Sequence, residues 1–218
     1  MTLAGTGGRR LAGAATLVAG LGTLAAGLVM VIAPGAAPGD TGVVPPTANR
    51  TATSVPVRPS SRPSAPPSAI AEPVVLSPTR LSIAALYVDA GVEAAGVGRD
   101  GSLGIPENPR RLGWWIGSAM PGDRGGTVLI AGHVDTAADG RGALFRLGDL
   151  AMGARIVIRA GDHDVVYRAV ARRSYAKSRL PADLFRSDGA PRLVLVTCGG
   201  RFSDGAYARN VVVYAEPV

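Results

Sequence analysis

Arg192-Leu193-Val194-Leu195-Val196-Thr197-Cys198-Gly199-Gly200 is the stretch on which the reading of this chain turns. A short run of aliphatic and β-branched residues, stopped by a glycine pair, reads as a buried strand. That strand delivers Cys198, the single cysteine of the 218 residues, to its exposed end. A second run, Thr127-Val128-Leu129-Ile130-Ala131, delivers His133 in the same way within Gly132-His133-Val134-Asp135, and a third, Asn210-Val211-Val212-Val213-Tyr214, directly follows Arg209. A thiol, an imidazole and a guanidinium at three strand ends form a candidate acyl-transfer site. Taken alone, a lone cysteine also reads as a small buried hydrophobe.

Working outward, the remaining sequence from about residue 75 divides into short strands separated by Gly, Pro and Asp. The run 81–86 opens this region, and 155–159 and 164–170 flank a turn at Gly161-Asp162. Short helices are expected near 144–150 and 181–185. Many short strands with turn signals between them predict an all-β barrel or sandwich with little helix. No internal repeat is present.

The first third differs in kind. Residues 11–33 carry no charge and follow Arg9 and Arg10. The stretch is long enough to cross a hydrocarbon layer, which takes about 20 residues, and longer than the roughly 7–15-residue apolar region of a cleaved signal peptide. The first charge beyond it is Asp40, so the arginines are expected to stay inside and the rest of the chain outside. The expected organisation is a cytoplasmic N-terminus at 1–10, a transmembrane signal-anchor at 11–33, a Pro/Ser/Ala-rich linker at 34–74 and a catalytic domain at 75–218. The linker composition predicts an extended, disordered spacer that buries too little apolar surface to offset its ordering entropy.

Composition narrows the function further. The formal charge is +7, yet Lys177 is the only lysine among 23 basic residues. This arginine bias fits a GC-rich genome rather than a recognition code. Nucleic-acid binding needs basic patches interleaved with aromatics, and aromatics make up only 5% of the chain. An internal disulfide is excluded by the single thiol. Two histidines and one cysteine supply no cluster with metal-ligand spacing, and no phosphate-cradling glycine loop is present. No metal or cofactor is expected.

The order His133, Cys198, Arg209 resembles the sortases, the cysteine transpeptidases of Gram-positive cell surfaces. The resemblance rests on Gly113-Trp114-Trp115, Pro121-Gly122, Ile130-Ala131-Gly132-His133-Val134-Asp135, the Phe-Arg-Leu-Gly-Asp-Leu run at 145–150, and the segments 193–200 and 210–215. It spans roughly 78–218. It is nearest to class E and class F, with Thr197-Cys198-Gly199-Gly200 favouring class F. The resemblance implies a closed eight-stranded β-barrel and a transpeptidation. Cys198 would attack the Thr–Gly carbonyl of a Leu-Pro-x-Thr-Gly-like sorting signal on another exported protein. An amine of a peptidoglycan precursor would then resolve the thioacyl intermediate. In this scheme His133 moves the protons and Arg209 binds the oxyanion.

Some residues keep alternatives. Related sequences often read Tyr-Arg-Asp-Asn-Val where this chain has Tyr207-Ala208-Arg209-Asn210-Val211. The arginine therefore sits one place later, and strand side chains alternate faces. Arg201 is the other candidate. Asp135 either orients the His133 ring or belongs to a turn, His163 reads as a solvated turn residue, and Trp114 and Trp115 read as core or groove. A non-enzymatic alternative is a degenerate anchored barrel that only binds wall or protein ligands.

Overall fold

The computed structural model describes residues 38–45, 77–99 and 101–218. The expected membrane helix at 11–33 and most of the expected linker lie outside them. No helix among the described residues is long and apolar enough to cross a membrane.

Eight strands close a barrel: β2 (Pro78–Ile83), β3 (Val88–Ala95), β4 (Leu112–Trp115), β5 (Thr127–Ala131), β8 (Arg155–Ala160), β9 (His163–Ala176), β10 (Arg192–Ser203) and β11 (Ala206–Pro217). The order around the wall is β9-β11-β10-β5-β4-β3-β2-β8, and β8 pairs back onto β9 to complete the ring. Pairing is antiparallel except between β3 and β4 and between β5 and β10. Two residues each of β6 (Asp135–Thr136) and β7 (Gly140–Arg141) form a small hairpin beside the barrel. The expectation of an all-β closed eight-stranded barrel with short helices is met.

The period of two explains the wall. Leu193, Leu195, Val211, Val213 and Ala215 point into the main core with Val128 and Ile130. Their neighbours Val194, Val212 and Tyr214 form a second cluster with Leu129, Ala171 and Leu184 on the opposite face. Strands covered on both sides read as unbroken apolar runs rather than alternating ones, which is why β5 and β10 are the most legible strands in the sequence. The cover over them includes the 3₁₀ turn Ala182–Phe185, held by Arg192. That side chain is only 5% exposed. Its Nε donates to Thr127 Oγ1 at 2.9 Å, and its Nη2 donates to the Asp183 carbonyl and carboxylate. One arginine thus ties β10, β5 and the covering turn together.

The expected strand at 81–86 ends at Ile83, and Ala84–Leu86 is a 3₁₀ turn. The expected helix near 144–150 is a 3₁₀ turn, Leu147–Asp149, with Leu144, Leu147 and Leu150 fully buried in the core. Strand β3 has no counterpart in the sequence reading, although Val88, Ala90 and Val92 are buried, with exposed Asp89 and half-buried Gly91 between them and exposed Glu93 after them.

One departure concerns the linker. Residues 38–45 lie on the barrel instead of spacing it. Thr41–Gly42 form β1, paired antiparallel with Arg172 and Ala171 on the edge of β9 that β8 leaves open. Asp40 Oδ1 accepts the Ser174 N–H at 2.9 Å. Arg173 donates to the carbonyls of Thr41 and Gly42, both at 2.7 Å, and Arg172 donates to the Gly39 carbonyl. An open strand edge is a row of unmet hydrogen-bonding groups, and β1 satisfies it. The sequence pattern missed this because pairing in β1 is through backbone atoms, which Pro/Gly/Ala composition does not advertise.

Candidate active site

The parallel pairing of β5 and β10 sets the site. Val196 stands opposite Ala131; Cys198 and His133 each lie two residues further along. Both side chains fall on the outer face, continuing the rows of Val194 and Leu129. Both are half-buried and line one open cleft of about 550 Å³. Thr197, 3% exposed, donates Oγ1 to the Gly132 carbonyl at 2.8 Å, and the Gly132 N–H donates to the Val196 carbonyl at 3.1 Å. Gly132 has no room for a side chain, because a Cβ there would collide with Leu112 and press on Leu144. The residues preceding the thiol and the imidazole are therefore fixed to each other.

Arg209 is placed differently. It stands opposite Gly199, while Cys198 stands opposite Asn210. By alternation its side chain leaves the strand on the face away from Cys198. Its Nε donates to Ser174 Oγ at 2.7 Å and its Nη2 to the Ser174 carbonyl. The structure brings Cys198 and His133 into the cleft and leaves Arg209 beside it, on β9. The ladder between β10 and β11 is irregular from Gly199 to Phe202. Gly200, at φ +80°, lies against the Arg209 stem, where a Cβ would come within 3.2 Å of Cγ. A Cβ at Gly199 would instead collide with Val211, so neither glycine of the pair has room to spare for a side chain. Arg201 is exposed in the distal part of the hairpin.

Asp135 does not sit in a turn. It is in β6, opposite Arg141, and its Oδ2 accepts the Tyr207 hydroxyl at 2.6 Å. That bond spans the cleft from the His133 side to the β10–β11 hairpin. Phe202 packs edge-on against Tyr207 with ring centroids 5.0 Å apart. Hydrogen bonding to Asp135, then burial, pushes the Tyr207 phenol up to about 12. Lys177 also lines the cleft. Tyr207, Phe202 and Lys177 were not singled out as site residues from sequence. The lone-lysine count was the only signal for Lys177, and a hairpin tip carries no periodicity that would flag the other two. His163 is exposed where β9 begins, paired with Ala160 across the Gly161-Asp162 turn. Trp114 is core, its indole N–H donating to the Ala119 carbonyl, and Trp115 meets Phe185 in the outer cluster. Among the described residues no three His, Cys, Asp or Glu side chains gather as a metal site.

Comparison with known proteins agrees with this architecture. The family model for the sortase domain matches residues 81–218. The fold is similar to sortase C1 of Streptococcus agalactiae, at 18% identity and a TM-score of 0.51, covering 64% of this chain and 66% of that one. It is also similar to a lid mutant of sortase A from Corynebacterium diphtheriae, at 21% identity and a TM-score of 0.51, covering 68% of this chain and 73% of that one. Sortase C-1 of Actinomyces oris matches at 16% identity and a TM-score of 0.51, over 64% and 72% of the two chains. This chain thus spans just under two thirds of the length of the S. agalactiae protein. No curated protein matches it. The chain belongs to the sortase family.

Proposed function

We propose that this sortase-family chain is a cysteine transpeptidase of the cell surface, of class F, that cleaves a Leu-Pro-x-Thr-Gly-like sorting signal and passes the exported protein to a peptidoglycan amine. The observation that carries the reading is the placement of Cys198 and His133 in one cleft, on matched positions of adjacent parallel strands.

The chemistry follows from those two groups. The Cys198 thiolate attacks the scissile carbonyl carbon, and only the thiolate form is an effective nucleophile. The C–N bond breaks as the leaving amine takes a proton from His133, leaving a thioester on Sγ. An incoming amine then gives its proton to His133, attacks the thioester carbonyl and releases Cys198. Negative charge develops on the carbonyl oxygen in both steps, and Arg209 is the proposed donor to it. To act there, the guanidinium leaves Ser174 and crosses the gap at Gly199 and Gly200.

Residues 11–33 are the proposed membrane anchor, with the barrel outside the cell.

The test incubates the full chain in detergent with a library of sorting-signal peptides and an amine acceptor, reading cleavage, ligation and the thioacyl enzyme by mass. Cys198-dependent cleavage and ligation are expected. A Cys198→Ala chain that still cleaves, or a native chain whose Cys198 ignores both peptides and small electrophiles, leaves a ligand-binding barrel instead.

A further inference from the structure

Lys177 lines the Cys198 cleft and has no part in the chemistry above. It follows β9, and its backbone N–H donates to the Ala208 carbonyl at 3.2 Å, which seats it between Tyr207 and Arg209. Among the described residues, no carboxylate forms an ion pair with its ammonium. The cleft has one acidic side chain, Asp135, and that carboxylate is already engaged by the Tyr207 hydroxyl at 2.6 Å. The other lining side chains, Val134, Ala137, Phe202 and Ala206 among them, bring no second cation except His133 when protonated. An ammonium donates hydrogen bonds and accepts none, so its complement is an anion.

We propose that Lys177 selects a carboxylate on the ligand that reacts at Cys198. Two sources bear such a group: an acidic side chain at the variable position of the donor peptide, or a carboxylate next to the amine of the acceptor. The inference rests on the transpeptidase reading of the cleft. Lys177 is exposed, so water screens the attraction, and the expected discrimination is about two- to fivefold.

The experiment uses the full chain in detergent at low salt, with native, Lys177→Gln and Lys177→Glu forms checked for matching melting temperatures. Donor peptides carry Glu, Gln or Lys at the variable position, and the acceptors are glycine and glycinamide. The native chain is expected to favour the Glu peptide over Gln, or glycine over glycinamide, by about two- to fivefold in kcat/KM. The responding series identifies the source. Lys177→Gln should erase that ratio, Lys177→Glu should invert it, and raised salt should shrink it toward one. A native ratio of one in both series, or a ratio unchanged in Lys177→Gln, overturns the assignment while leaving cleavage intact. A stable amide between the donor peptide and Lys177, seen by mass, also overturns it, since the lysine would then be an acceptor. Absence of Cys198-dependent cleavage with every peptide defeats the transpeptidase reading itself and is recognisable as a different result.

Discussion

Thr197 donates its buried hydroxyl to the Gly132 carbonyl at 2.8 Å, joining the residue before Cys198 to the residue before His133. This side-chain bond crosses the parallel β5–β10 pair where its ladder ends. Thr197→Val keeps the shape but leaves a buried carbonyl one partner short, which costs about 1–3 kcal/mol. The expected outcome is a lower denaturation midpoint, together with a fall in kcat as His133 and Cys198 lose their fixed relation. An unchanged kcat in a destabilised Thr197→Val chain would show that this bond serves stability alone.

Arg209 is the residue whose role depends most on movement. If it binds the oxyanion, Arg209→Lys keeps the charge but loses the paired donors, and turnover should fall by about 10²–10³ with little change in KM. Arg201→Lys should cost little. Gly200→Ala places a methyl group against the Arg209 stem at a positive φ, so it should slow turnover as well. A sensitive Arg201 with a tolerant Arg209 would reassign the oxyanion donor and leave Cys198 and His133 in place.

The docking of residues 38–45 should be measurable as stability. Gly42 has φ +79°, and a Cβ there would collide with the Val170 carbonyl, so Gly42→Ala should release β1 from β9. A chain beginning at residue 77 loses the same contacts. Each is expected to lower stability by about 1–2 kcal/mol, a shift of about 3–8 °C in Tm. Calorimetry that finds no shift in either would mean the segment adds nothing to the barrel's stability.

The Tyr207–Asp135 bond predicts a pH signature at the alkaline end. A phenol raised to about 12 in the folded state stabilises that state while protonated. Its contribution is whole below about pH 10, the ordinary tyrosine value, and is lost as pH rises through about 12. The stability gap between the native chain and Tyr207→Phe should be constant below pH 10 and close between pH 10 and 12. Denaturant melts across that range measure it, and a gap that stays constant to pH 12 would show that the bond does not govern Tyr207 ionisation.

The sequence by itself determined the class of fold and the two central residues of the candidate site. Runs such as Leu193 to Val196 and Val128 to Ala131 are unbroken because both of their faces are covered, and glycine marks where each strand ends; such local patterns survive without knowledge of partners. The placement of a thiol and an imidazole at those ends was equally local. The face that Arg209 occupies was not. It depends on Cys198 pairing with Asn210 rather than with its neighbour, and a one-residue choice of register reverses every side chain. The contacts of Asp135 with Tyr207 and of Asp40 with Ser174 join positions 72 and 134 residues apart. Lys177 enters the cleft because its backbone is held to Ala208. These features are long-range hydrogen bonds between polar groups, and only the assembled tertiary structure brought them together.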